Sequence, residues 1–245
     1  MKDALFAARL HGGKGEEGEN PNETLLTRYA NMLLDSTFKR AFGTKELMIA
    51  FLQEILPGRR IADITYTNTV HTNEDPKKHN STFDLECLDA TTGERFDVEV
   101  QLARQPSFYE RALYYSHFLL AGQLEAGMAY YEYPPVYVIC LMEFCLHNET
   151  EGFMFRFSLH EDSTGEQMTD RLNFVFLELP HAKGPQHGGT GIVEKICYAL
   201  HNMPAFERRP PELKEKFFDI LFKSAEIANF TPEQRKIYRE DMANE

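Results

Sequence analysis

The chain has 245 residues, 42% of them hydrophobic, enough to bury one sizeable core with appended helices but not a large second domain. Its 26 Lys and Arg stand against 38 Asp and Glu, a formal charge of −12. That balance opposes long-range attraction to a polyanion, so any contact with nucleic acid must run through local basic groups or metal ions.

The N-terminus, "MKDALFAARLHGGKGEEGENPNE", has an apolar stretch too short for a signal peptide and then turns to glycine and acid, which predicts a disordered leader over residues 1–22. From Asp35, "DSTFKRAFGTKELMIAFLQEILPG" reads as a short helical turn, a break at Gly43, and a helix begun by Thr44 and stopped by Pro57 and Gly58. "IADITYTNTVH" is rich in β-branched and aromatic residues and predicts a first strand, followed by a polar loop containing "NEDPKKHN". "FDLECLD" and "FDVEVQL" predict a hairpin, and "ARQPSFYERALYYSHFLLAGQLEAG" a helix opened by a Ser107-x-x-Glu110 capping box and running to Gly127. "PPVYVICLMEF" is a continuous apolar run suited to a strand covered on both faces, so the strand–helix–strand order implies a parallel crossover in a mixed sheet. The longest apolar run of the chain, it falls far short of a membrane span and carries Glu143, and no transmembrane helix is expected.

"FMFRFSL" and "LNFVFLEL" predict further strands, "HAKGPQHGGTG" a connecting loop without the ending of a phosphate loop, and helices follow near 192–202, 211–228 and from Pro232. The expected organisation is a core over 23–182 and a helical C-terminal extension over 183–245 packed on it. Cys87, Cys140, Cys145 and Cys197 show no CxxC spacing and sit in apolar surroundings. Buried free thiols in a reducing compartment are expected, rather than disulfides or a zinc site, with the cytoplasm as the address.

The hairpin carries the chemistry. In "FDVEVQL" Phe96, Val98, Val100 and Leu102 share one face, with Asp97, Glu99 and Gln101 opposite; in "FDLECLD" Asp84 and Glu86 oppose Phe83, Leu85 and Cys87. An even-numbered loop centred on Thr91 and Thr92 pairs Asp89 with Glu94 and sets Asp84 directly across from Glu99. Like charges so placed destabilise a strand pair unless a proton or cation compensates. Hard oxygen ligands with open positions suit Mg²⁺ or Mn²⁺. A solvated polar face on the hairpin is the plain alternative. Among nine histidines no HExxH pair appears, so a zinc hydrolase is not expected.

Asp84, fourteen intervening residues and Glu99-Val100-Gln101, together with "DSTFKRAFG", "YERALYYSHFLLAGQLEAGMAY", "PPVYVI" and "LNFVFLEL" in that order, resemble the Rpn family of recombination-promoting nucleases and transposases of the PD-(D/E)XK superfamily. The resemblance implies an α/β, restriction-endonuclease-like PD-(D/E)XK core, its central mixed β-sheet flanked by helices, with extra C-terminal helices. It implies a metal-dependent DNA endonuclease linked to recombination or mobile elements, with Mg²⁺ or Mn²⁺ as cofactor, DNA as partner, no membrane, and a homodimer among the assemblies it allows.

Carried over residue by residue, the resemblance makes Asp84 and Glu99 metal ligands with the Val100 carbonyl as a third. Gln101 falls where the superfamily has Lys, without the positive charge. Arg111 and Tyr115, four apart on the long helix, become site-facing, with a salt-bridged arginine and a half-buried tyrosine as the alternative. Gln123, two turns on, is a weaker substrate-binding candidate. Asp35 and Lys39 match a "DxxFK" signature, Asp35 being expected chiefly as a helix N-cap. Glu86 and Asp97 either widen the acidic patch or face solvent. A catalytically inactive relative acting as a binding or regulatory module, and a phosphohydrolase of small nucleotides, are the competing readings.

Overall fold

The computed structural model describes residues 27–67, 70–71, 81–82, 84–123, 129, 133–147, 152–189 and 191–244. The expected leader over residues 1–22, most of the polar loop before the hairpin, Phe83 and the last turns of the long helix lie outside the described residues. Strand β6 (Val136–Met142) is buried along its whole length, as its unbroken apolar composition demands. It lies inside a mixed sheet of β1 (Ile64–Tyr66), β4 (Leu85–Asp89), β5 (Arg95–Gln101), β6, β8 (Leu172–Glu178) and β7 (Met154–Ser158), in the order β1-β4-β5-β6-β8-β7. β5, β6 and β8 run parallel, while β1, β4 and β5 form an antiparallel meander and β7 closes the far edge antiparallel to β8. The segment expected as a single first strand is divided. β4 starts at Leu85, so pairing with β1 ends where the Thr67 amide reaches Glu86 O, and Val70–His71 (β2) pairs instead with Ser81–Thr82 (β3) in a separate ribbon.

Helices cover both faces unequally. One face packs against α1 (Asp35–Phe42), α2 (Lys45–Ile55), α4 (Ile192–Asn202) and α5 (Lys216–Ala225) in the main core, with Phe38, Phe42, Phe51, Phe96 and Phe218 all fully buried. The other face is covered by α3 (Phe108–Ala121), whose Phe108, Ala112 and Leu119 meet Val136, Val138, Cys140 and Phe176. The C-terminal helix α6 (Pro232–Asn244) seals a third cluster through Tyr238. No described helix is long and apolar enough to cross a membrane.

Three expectations change. Ser107 does not close a capping box: it adopts a left-handed conformation with φ 56° and makes no side-chain capping bond, and α3 starts from its carbonyl, which accepts the Arg111 amide at 3.0 Å. Asp35 is not the N-cap of α1. It pairs with Lys39 at 2.7 Å, and the Ser36 amide is satisfied by the Asp241 carboxylate of α6 at 3.1 Å. Cys87, Cys140 and Cys197 are buried free thiols, whereas Cys145, in the turn after β6, is partly exposed.

Candidate active site

The register of the hairpin is set by its turn. The Asp89 carboxylate accepts the amides of Thr91 and Thr92 at 2.7 and 2.8 Å, and Gly93 supplies the positive φ of 73° that returns the chain. Leu85 then faces Val98 and Glu86 faces Asp97, and the same register carried one step further sets Asp84 across from Glu99. There the backbone ladder gives way to side chains. The Asp84 amide donates to Glu99 Oε1 at 3.0 Å, and the Val100 amide donates to Asp84 Oδ2 at 2.7 Å. Each acid is thus held by the other strand's backbone.

Both acids line a cleft of about 390 Å³ bounded also by Asp35, Gln101, Arg111 and Tyr115. Val100 and Phe38 are part of the same wall. Lys39 reaches the site through its charge, which lowers the Asp84 pKa, while Asp35 raises it. Gln123 lies beyond the end of α3 and does not line the cleft. Of the residues singled out in the sequence, therefore, all but Gln123 come together at one end of the parallel strands.

Gln101 is bonded at both ends. Its Nε2 donates to Glu99 Oε2 at 3.3 Å and its Oε1 accepts from the Arg111 guanidinium, which also reaches Gln105 Oε1 and lies 5.6 Å from the Tyr115 ring centroid. An amide so engaged holds the carboxylate and the guanidinium in fixed relation, with one N–H and one lone pair left over. Below it, a pocket of about 10 Å³ between Glu99, Gln101, Arg111 and Cys140 has room for roughly one water.

Glu86 and Asp97 do not face solvent. They are 1% and 0% exposed, so the face that alternation alone leaves open is covered. Glu86 is paired with Arg95 at 3.0 Å, while Asp97 shares a hydrogen bond with the neighbouring Glu99 carboxyl. Burial, and then the neighbouring Glu99, push the Asp97 carboxyl well above the usual carboxylate range. Alternation alone leaves open whether Asp97 widens the acidic patch or faces solvent; its burial beside Glu99 puts a third acid next to the pair.

Burial raises Asp84, opposed by the Val100 amide and Lys39. Burial and then Asp84 push Glu99 up to about 7, against the Asp84 amide and Arg111. Among the described residues no Lys or Arg forms an ion pair with either acid. Two convergent carboxylates, short of positive charge and beside a third buried acid, are a donor set that fits a hard divalent cation.

The sequence model of the PD-(D/E)XK nuclease family transposases matches residues 32–245, the span that holds the sheet, the cleft and the C-terminal helices. The chain belongs to this family. No curated protein and no solved structure matches it significantly. As a PD-(D/E)XK nuclease family transposase it has a nuclease fold whose substrate class is DNA, in a superfamily that usually works with divalent metals. The α/β core with a mixed six-stranded sheet and C-terminal helices is the architecture that the family resemblance implied.

Proposed function

We propose that the protein is a divalent-metal-dependent endodeoxyribonuclease acting in DNA recombination or transposition, with Asp84 and Glu99 as its metal ligands. The observation that carries this reading is the reciprocal bonding of the two acids across the strand ends, which fixes two hard oxygen donors at the mouth of a cleft. Mg²⁺ or Mn²⁺ bound there would polarise the scissile phosphate and lower the pKa of an attacking water. The Val100 carbonyl supplies a third oxygen.

The chain's own residues do the rest. Asp84 and Glu99 are held in ligand geometry before any cation arrives, which removes the cost of ordering them at binding. Gln101 has no charge to offer the transition state, but it fastens Arg111 beside Glu99. The guanidinium thus stands where positive charge is needed as the pentacoordinate phosphate gains charge, and it cannot lose its proton. Asp35 lines the same cleft and is paired at 2.7 Å with Lys39, whose charge acts on Asp84.

The test is nicking of supercoiled plasmid with Mg²⁺ or Mn²⁺. The wild-type chain is expected to cleave, with Asp84→Ala and Glu99→Ala both inactive; equal activity in the three proteins overturns the site. The net charge of −12 and the absence of Lys at position 101 favour one rival, a binding module without turnover. Retained DNA binding with no cleavage in either metal would establish that rival instead.

A further inference from the structure

The parallel register places Gln101, Met142 and Glu178 side by side across β5, β6 and β8. Glu178 therefore leaves the sheet on the same face as Gln101, two strands away. It is fully buried, and a buried carboxylate persists only when its oxygens are compensated. Oε1 is well supplied: the amides of Leu146 and His147 donate at 3.0 and 3.1 Å, and His147 Nδ1 lies at 2.7 Å. Oε2 faces side chains instead: His181 Nδ1 is 3.0 Å away, a nitrogen that also lies 3.1 Å from the Gly152 carbonyl, and the Cys145 thiol hydrogen-bonds the same carboxylate.

Around this oxygen stand two donors that the nuclease site does not use. Cys145 from the turn after β6, Glu178 from the end of β8 and His181 from the 3₁₀ turn that follows it bring one ligand atom each to within 4.8 Å of the others. Cys145 and His181 are partly exposed while Glu178 is buried, so the group opens to solvent on one side. We propose that Cys145, Glu178 and His181 form a second divalent-cation site, one that takes zinc.

The donor chemistry separates this site from the acidic pair. Asp84 and Glu99 offer only hard oxygens, whereas thiolate and imidazole select a softer ion. Zinc bonds of about 2.0–2.3 Å set tetrahedral ligand atoms roughly 3.3–3.8 Å apart, so the three side chains need draw in by only about 1 Å, leaving a fourth position for water. The surroundings have the form that metal carboxylates require: Glu178 is oriented by His147, whose Nε2 lies 3.1 Å from the Tyr109 hydroxyl at the start of α3. A cation here ties the turn after β6 to the end of β8 and, through His147, to the helix that roofs the nuclease cleft.

The full-length chain, stripped with chelator, is titrated with Zn²⁺ and Co²⁺. We expect one equivalent of zinc that raises the thermal midpoint and survives Asp84→Ala/Glu99→Ala, and a thiolate-to-cobalt charge-transfer band that Cys145→Ser abolishes. His147→Phe, which leaves the three ligands in place, is expected to weaken zinc binding about 10–100-fold. Folding of each variant is checked by circular dichroism in the metal-free state. Three results would each overturn the site: no zinc bound, zinc bound equally by Cys145→Ser and wild type, or zinc lost with the Asp84 and Glu99 substitutions.

Discussion

Gln101 shows how one side chain changes meaning once its partners are known. A glutamine in place of lysine reads in the sequence as a missing charge. With Nε2 on Glu99 and Oε1 on Arg111, it is instead a fastener that brings a charge from the helix. Arg111→Ala is accordingly expected to lower metal-dependent cleavage by about 10²–10³-fold, and Gln101→Lys introduced into that variant to restore part of the loss. Plasmid nicking rates measure both, and unchanged cleavage by Arg111→Ala would remove Arg111 from the machinery. The facing of Asp84 and Glu99 was legible because loop parity and a period of two suffice to derive it. The burial of Asp97 was not, since alternation separates two faces of a strand without saying whether a helix covers both.

Elements were legible wherever their signals were local. The β4–β5 turn is written in Asp89 and Gly93, and β6 in its unbroken apolar run. The start of α3 was misread because Ser107-x-x-Glu110 has the letters of a capping box, while Ser107 itself takes a left-handed conformation that directs α3 back over the sheet. A non-glycine residue in that region costs about 1–2 kcal/mol, and its hydroxyl makes no capping bond that would be lost. Ser107→Gly is therefore expected to stabilise the protein by about 1 kcal/mol, the relief of side-chain strain outweighing the added freedom of the unfolded chain. Urea denaturation measures this, and a lower midpoint would show that the left-handed turn is not strained.

On the scale of the whole molecule, the two ends of the matched region are held together. Tyr238 of α6 accepts the Asn31 amide at 3.0 Å, and Asp241, one turn on, accepts the Ser36 amide at 3.1 Å. The C-terminal helix thus fixes the segment that carries Asp35 into the cleft wall. No periodicity could reveal this, because a capping carboxylate 205 residues away leaves no local mark, and the local Asp35 had the right residue type for the same task. Tyr238→Phe keeps the ring packed on Phe230 but strands a part-buried amide. It is expected to cost about 1–3 kcal/mol and to raise amide hydrogen exchange first in residues 30–42. Uniform loss of protection across the sheet, with no excess there, would show that α6 does not hold this segment.

Gln101, Met142 and Glu178 share one rung of the parallel sheet, and a rung is a ruler. Neighbouring strands stand about 4.7–4.9 Å apart, so the outer two of these residues are separated by roughly 10 Å. Paired ions that clamp a single phosphate sit about 3.5–4 Å apart. A cation beside Glu178 could not share an oxygen with one beside Glu99, whatever either ion is. Any conversation between the two ends of the rung must pass through the packing of Met142 and of α3, as a change in how firmly the roof is seated.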